Sequence, residues 1–197
     1  MPVPKGATLD PGRTRAAILD TATTVLYERG LDGVGVAELC RELGVSKETI
    51  YRHFGSKEGL IEAVLEQRSD RVTQWLSQAA EQAGPDPRAR LAAVFDALGT
   101  WHAEPGFRGC AMLNAATQHH TDPERGLAAR HLERRLALLT DIARSAGAAD
   151  PESLARQLLI LITGATIVAD HHPTTPNAAA HARHAALTLL QAAGSVS

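Results

Sequence analysis

The sequence is poor in aromatic residues, cysteine and net charge, and each shortage excludes a class of protein. Aromatic side chains make up only 4% of the 197 residues, against 44% hydrophobic residues in all. Alanine and leucine must therefore supply most of the packing, which favours helices over a sheet built from β-branched and aromatic residues. The two cysteines, Cys40 and Cys110, cannot form a disulfide framework and are typical of a reducing cytoplasm. We expect an all-α protein of one or two domains.

Long apolar runs and a strong charge of one sign are also missing. The longest apolar run, residues 158–169, is too short to span a bilayer, and no apolar signal core lies near the first residue. These features predict a soluble cytoplasmic protein without a membrane partner. The formal net charge is −2, so binding to nucleic acid would have to depend on particular cations placed on particular helices.

Proline and glycine divide the chain into about nine predicted helices, with Asp-Pro pairs at several starts and glycines at several ends. The first is predicted from Asp10 to Gly30, and a long fourth helix is predicted to follow Ser56. Later helices are predicted to begin near residues 86, 108, 122, 150 and 176. In the seventh, the helical spacing predicts a buried stripe formed by Leu132, Leu136, Leu139 and Ala143.

The eighth predicted helix is apolar on nearly every side, which is typical of a helix buried against more than one neighbour. Together with the alanine-rich ninth helix it is predicted to form the interface of a homodimer. The expected interface residues are Leu154, Leu158, Ile162 and Ala165 in the eighth helix, and Leu187 and Leu190 in the ninth.

Two short amphipathic helices joined by residues 44–46, Gly-Val-Ser, predict a helix-turn-helix arrangement. In that arrangement the second helix presents its N-terminal residues to base edges in the major groove. Lys47, Thr49 and Arg52 point away from the predicted packing face and are candidates for base contacts. The candidates for phosphate contacts are Tyr51, His53 and Lys57.

The segment LCRELGVSKETIYRHFGSKEGL, residues 39–60, resembles the DNA-binding segment of the tetracycline-repressor (TetR/AcrR) family of transcriptional regulators. The preceding RTRAAILDTATTVLYERGLDGVGV is similar to the first helix of that family and its connection, so the resemblance covers about residues 13–64. The resemblance implies the same six DNA contacts and dimerisation through the last two helices. Gly35 departs from the family pattern, which usually has Thr or Ser there, and Glu48 replaces a usual glycine or proline.

Residues on the middle helices are candidates for an effector pocket, because they offer apolar walls with few polar groups. They are Trp75, Phe95, Trp101, Phe107, Cys110 and Asn114, and His102 and Met112 fall on the same helices. Taken one by one, each is more typical of a core residue than of a ligand contact. Cys110 follows Gly109 where a helix is expected to begin, so we predict that it lines the pocket and reacts with electrophiles or oxidants.

The sequence as a whole predicts a helix-turn-helix domain at residues 1–57 and an effector-binding and dimerisation domain at residues 58–197. The expected function is a ligand-responsive repressor released from palindromic operator DNA by a small molecule, with no cofactor. The alternatives are a small helical enzyme or metal protein that uses its histidines, and a DNA-binding dimer without an effector. The pairs His119-His120 and His171-His172 lack the spacing of common metal ligands, because neighbouring residues in a helix point about 100° apart.

Overall fold

A computed structural model describes residues 11–31, 33–118, 122–171 and 177–194, and in these ranges the backbone is almost entirely helical. The described residues form nine α-helices and no strand, as the composition predicts. Their bounds are α1 Pro11–Arg29, α2 Val36–Leu43, α3 Lys47–Phe54, α4 Lys57–Gln82, α5 Pro87–His102, α6 Ala111–Gln118, α7 Asp122–Ser145, α8 Pro151–His171 and α9 Ala178–Ala193.

The chain divides into two compact units, the first ending at Arg68 and the second beginning at Ser69. This division falls inside α4. In the first unit, α1 packs against α2 and α2 against α3. Leu39 and Ile50 are almost fully buried there, and Arg29 of α1 forms ion pairs with Glu38 and Glu42 at 2.7 and 3.2 Å. The ion pairs join α1 to α2, and α3 is held through its packing on α2.

The second unit contains α5 to α9, with extensive packing of α5 on α9, α7 on α8 and α8 on α9. Asp86 caps α5, since its carboxylate accepts from the backbone N–H groups of Arg88 and Ala89 at 3.1 and 3.2 Å. Pro87 occupies the first turn of that helix, where its missing N–H costs nothing. The Asp-Pro start predicted at residue 86 is therefore confirmed.

One helix start differs from the sequence-based expectation. α6 begins at Ala111 and not near residue 108, because Gly109 adopts a left-handed φ of 71° that interrupts the helix. α9 begins at Ala178, after Asn177 with a φ of 63°. Asn tolerates that conformation better than most residues. Residues 172–176, where the ninth helix was expected to begin, lie outside the described residues.

The six residues predicted to form a dimer interface are all buried inside a single chain. Leu158 and Ile162 are 0% and 1% exposed, and the other four are at most 8% exposed. These side chains already form the core of the second unit, so they leave almost no surface for a second copy. The exposed apolar side chains of α8 are instead Ile160, Ile167 and Val168, which are 71%, 51% and 39% exposed.

Helix α8 is long and apolar enough to cross a membrane by length and composition alone. Core helices of soluble proteins meet the same two criteria. One face of α8 lies in the core of the second unit, where Ala155, Leu158 and Ile162 are buried. Its hydropathy is therefore explained by packing within the chain on that face.

Candidate DNA-binding site

The turn between α2 and α3 is built by one glycine and one serine. Gly44 ends α2 with φ 64° and ψ 29°, a left-handed conformation that suits glycine. Ser46 then caps α3, because its hydroxyl oxygen accepts from the backbone N–H of Thr49 at 3.1 Å. The predicted helix-turn-helix segment therefore has a defined geometry, with two helices of eight residues each.

Helix α3 separates one packing face from one solvent face. Ile50 is 1% exposed and anchors the helix in the core of the first unit. Lys47, Tyr51 and Arg52 are exposed, and the Lys47 ammonium lies 5.3 Å from the centre of the Tyr51 ring. A cation over the face of an aromatic ring is attracted by the electrons of that ring. Lys47 and Tyr51 therefore form one patch, available to an external partner.

The other two predicted DNA contacts on α3, Thr49 and His53, are less exposed to solvent. Thr49 is half-buried, and its hydroxyl lies 2.9 Å from the Ser46 hydroxyl. Its hydroxyl is therefore used within the chain, which leaves its methyl group for a base contact. His53 is also half-buried, beside Phe54 at a ring separation of 6.2 Å. Along this side of α3 runs a groove of about 650 Å³ lined by Thr14, Gly44, Val45, Ser46, Thr49, Arg52 and His53.

Lys57 is the first residue of α4 and is half-buried. Ser56 caps this helix, since its hydroxyl oxygen accepts from the backbone N–H of Gly59 at 3.0 Å. A side chain at position 59 would not fit, because a Cβ built there lies 2.0 Å from the carbonyl oxygen of Phe54. This close approach fixes the angle between the end of α3 and the start of α4.

Acidic residues interrupt the positive surface in two places. Glu48 is exposed on α3, next to Lys47. The pKa of Glu58 is lowered, chiefly by a backbone hydrogen bond at the start of α4 and then by Ser56. The site therefore combines three cations, Lys47, Arg52 and Lys57, with two carboxylates. Such a balance favours specific docking over unselective attraction to phosphates.

In the second unit, the predicted pocket residues form an aromatic cluster. The Trp101 ring lies 4.8 Å from Phe107 and 6.5 Å from Trp75, both edge to face. Phe95 and Cys110 are buried, 1% and 3% exposed. Asn114 is exposed and donates to the Arg108 carbonyl at 2.9 Å. The structure thus brings Trp75, Trp101 and Phe107 together and places Asn114 at the surface.

Two buried polar residues inside the same unit, His131 and Arg135, were not among the predicted site residues. His131 and Arg135 are 0% and 2% exposed on α7, and half-buried His102 packs its ring 4.9 Å from Phe107. Burial, and secondarily the nearby Arg135 charge, lowers the pKa of His131 to about 3 and that of His102 to about 4. Both imidazoles are therefore neutral at pH 7. The leucine pattern of α7 gave no signal for this cluster, because it predicts that such polar side chains face solvent.

The predicted metal-binding alternative finds no support in the described part of the chain, which brings no three His, Cys, Asp or Glu side chains together as a metal site. His119, His120 and His172 lie outside the described residues. His171 is exposed near the end of α8, with Nε2 3.8 Å from the Asp170 carboxylate.

Comparison with known proteins agrees with this geometry. The profile of the family described as "Bacterial regulatory proteins, tetR family" matches residues 18–64, which include the helix-turn-helix segment. The HTH-type transcriptional activator FasR of Mycolicibacterium smegmatis is 33% identical over 106 residues, or 53% of this chain. The match spans about half of that relative, 48% of its length.

Two solved structures match over nearly the whole chain. A TetR-family transcriptional regulator from Streptomyces coelicolor superposes with a TM-score of 0.82 at 28% identity, covering 93% of this chain and 97% of that one. A TetR-type regulator from Streptomyces avermitilis is 30% identical with a TM-score of 0.76, covering 91% of this chain and 97% of that one. With a matching N-terminal profile and whole-chain likeness at this identity, the protein belongs to the TetR family of bacterial transcriptional regulators.

Proposed function

We propose that this protein is a homodimeric regulator that binds a palindromic operator through α3 and responds to a small molecule bound in its second unit. The observation that carries the proposal is the division of α3, with Ile50 buried and Lys47, Tyr51 and Arg52 exposed. An eight-residue helix anchored on one side in this way has the dimensions of a helix that enters the major groove.

The exposed residues suit different parts of the DNA. Lys47 and Arg52 donate to guanine acceptors, and the Thr49 methyl contacts thymine. Tyr51, His53 and Lys57 donate to phosphates, which positions the helix without reading sequence. Residues 1–57 form the DNA-binding domain in this proposal, and residues 58–197 the effector-binding and dimerisation domain. A DNA-bound regulator of this kind acts in the cytoplasm.

Regulation follows if the effector prefers a shape of the second unit that does not fit the operator. A ligand shifts such an equilibrium only through its difference in affinity for the two shapes. We expect repression that the effector relieves. FasR is named as an activator, so transcription assays with and without the protein are needed to establish the direction of control.

DNA binding is tested by footprinting the purified protein on the region beside its own gene. We expect protection of a palindrome, with affinity falling about 100-fold between 50 and 200 mM salt if each dimer neutralises about four phosphates. The control is a scrambled duplex of equal length and composition. Equal affinity for the palindrome and the scrambled duplex would contradict the proposal.

The dimer interface is proposed on the outer face of α8, where Ile160, Ile167 and Val168 are exposed around Gly164. A Cβ at Gly164 would meet nothing within 4 Å in the single chain, so a second helix can approach closely there. Exposed apolar residues grouped on one helix face are typical of an association surface. Burying that face on a second copy removes it from water.

Replacing Ile160 by Asp is expected to give monomers, since a carboxylate would be buried without a partner in the dimer. In the single chain Ile160 is 71% exposed, so the fold of the monomer is retained. Sedimentation velocity measures the mass, and circular dichroism checks the helix content. The matched control, Gln78→Asp, places the same charge at an exposed position of α4. A fully dimeric Ile160→Asp protein would rule out this face.

A further inference from the structure

Arg135 carries a buried positive charge that no group in the described part of the chain balances. Its side chain is 2% exposed, and none of its three guanidinium nitrogens has a hydrogen-bond partner there. A buried guanidinium normally has a carboxylate or several carbonyl groups around it, because its removal from water is otherwise very costly. A buried cation that is unmatched among the described residues of the second unit is open to a partner from outside the chain.

Neighbouring histidines add donors of the same kind. His131 lies one turn before Arg135 on the same face of α7, and its Nδ1 is 2.8 Å from the Ser69 hydroxyl. That hydroxyl also accepts from Arg134 at 3.1 Å, so we assign it as the donor to Nδ1, which puts the ring proton on Nε2. His131 Nε2 and both ring nitrogens of His102 are buried without a partner.

The charge inside this cluster is close to +1. His131 and His102 are neutral at pH 7, because burial lowers their pKa values to about 3 and 4. The Arg134 guanidinium forms an ion pair with the exposed Asp70 carboxylate at 2.5 Å, so its charge is balanced. Burial also lowers the pKa of Arg135, and among the described residues the nearby Cys110 opposes this shift. One cation among neutral donors matches a singly charged anion, whereas a doubly charged phosphate would leave a buried negative charge.

We propose that Arg135, His131 and His102 form an anion subsite that binds the carboxylate of a small, largely apolar effector. The planar guanidinium presents parallel N–H groups to both carboxylate oxygens, and the imidazole N–H groups add single donors. This inference rests on the proposed effector-sensing role of the second unit and names the chemical class of its ligand.

The surroundings suit an apolar body attached to that carboxylate. His102 packs on Phe107, which in turn contacts Trp101 edge to face. His102 also borders a cavity of about 530 Å³, a size common for small-ligand sites. Its wall combines Phe95, Gly99 and alanines of α9 with the polar Thr100 and Asn177, and of the three subsite residues His102 is the one that lines it. The acidic residue in its wall, Asp96, is already paired with Arg183 at 3.0 Å.

The first test compares Arg135→Met with Arg134→Met in the full-length protein without ligand. Methionine keeps the length of the side chain and removes the charge. Because Arg135 has no hydrogen-bond partner among the described residues, Arg135→Met is expected to melt at the same or a higher temperature. Arg134→Met removes an equal charge from the next residue, where it is paired with Asp70. A lower melting temperature for Arg135→Met alone would mean that Arg135 is neutralised within the chain, for example by Cys110, and would overturn the proposal.

The second test measures binding of acetate and 4-phenylbutyrate, each against its neutral amide, by thermal melting and by the fluorescence of the two tryptophans, Trp75 and Trp101. At about ten times its dissociation constant a carboxylate is expected to raise the melting temperature by roughly 3 to 6 °C. We expect at least tenfold weaker binding of the amide, and loss of this difference in Arg135→Met but not in Arg134→Met.

The outcomes separate this proposal from the proposed function. If neither carboxylate binds better than its amide, or if Arg135→Met keeps the preference, the anion subsite is wrong even when the protein binds its operator. If the carboxylates bind through Arg135 but the palindrome is not recognised, the subsite stands and the regulatory role fails. If both hold, 4-phenylbutyrate should change operator affinity in the natural protein and not in Arg135→Met.

Discussion

Replacing Tyr51 and Lys57 together by alanine is expected to weaken operator binding about 1000-fold. Each dimer would lose four phosphate contacts, and a net value of about 1 kcal/mol for each gives about 4 kcal/mol, or three powers of ten. The slope of log affinity against log salt should become shallower by about 1.8, because two lysines no longer release counterions. A titration of operator binding at several salt concentrations measures both effects.

Two control variants separate phosphate contacts from damage to the fold. Tyr51→Phe keeps the ring beneath the Lys47 ammonium, 5.3 Å away, and removes only the hydroxyl, so it should lose part of the affinity without affecting stability. Lys47→Ala should change the preferred sequence more than the overall affinity, as expected of a base contact. If the double variant bound the operator as tightly as the natural protein, the proposed docking of α3 would be wrong.

The helices of the first unit could be predicted closely because their ends depend on local chemistry. Gly44 ends α2 with a left-handed φ of 64°, and Ser46 caps α3 through the Thr49 amide. Both effects act within four residues and leave clear signals in the sequence. The site on α3 follows from these two residues together with the burial of Ile50.

The exposed face of α8 could not be identified from the sequence. A helix that is apolar on nearly every side lacks a distinct polar face, so its sequence does not indicate which side is buried. The large leucines such as Leu158 were predicted to contact a second copy, but they fill the core of their own chain, and Ile160 faces solvent. Only tertiary packing of α8 against α7 and α9 distinguishes these faces.

The buried polar cluster was missed for a related reason. The predicted stripe on α7 placed Leu132 and Leu136 inward, whereas the structure half-buries them and fully buries His131 and Arg135. A hydrophobic pattern always orients a helix with its leucines inward and its charges outward. A functional charge in the interior violates that pattern, so it becomes visible only when the neighbouring helices are in place.

Acidification from pH 7 to pH 4 is expected to destabilise the ligand-free protein well before most carboxylates titrate. His131 is fully buried, with a folded-state pKa of about 3 against 6.5 in the unfolded chain. Between these values the unfolded chain binds more protons, so the free energy of unfolding falls as the pH drops below 6.5. The full difference corresponds to on the order of 5 kcal/mol, a large part of the 5 to 15 kcal/mol typical of a domain.

The positive charges near His131 also lower its pKa. Arg134 and Arg135 on α7 oppose its protonation, and Ser69 of α4 already donates to Nδ1 in our assignment. Urea unfolding at pH 7, 6, 5 and 4 measures the free energy of unfolding. This free energy should fall steeply with decreasing pH in the natural protein and less steeply in His131→Gln, because glutamine cannot take up the proton. His184→Gln, at an exposed position of α9, should retain the steep loss. Equal pH dependence of the free energy of unfolding in the natural protein and His131→Gln would mean that protonation of other groups destabilises the fold. A bound carboxylate that reduces the loss of stability at low pH would show that His131 belongs to the anion subsite.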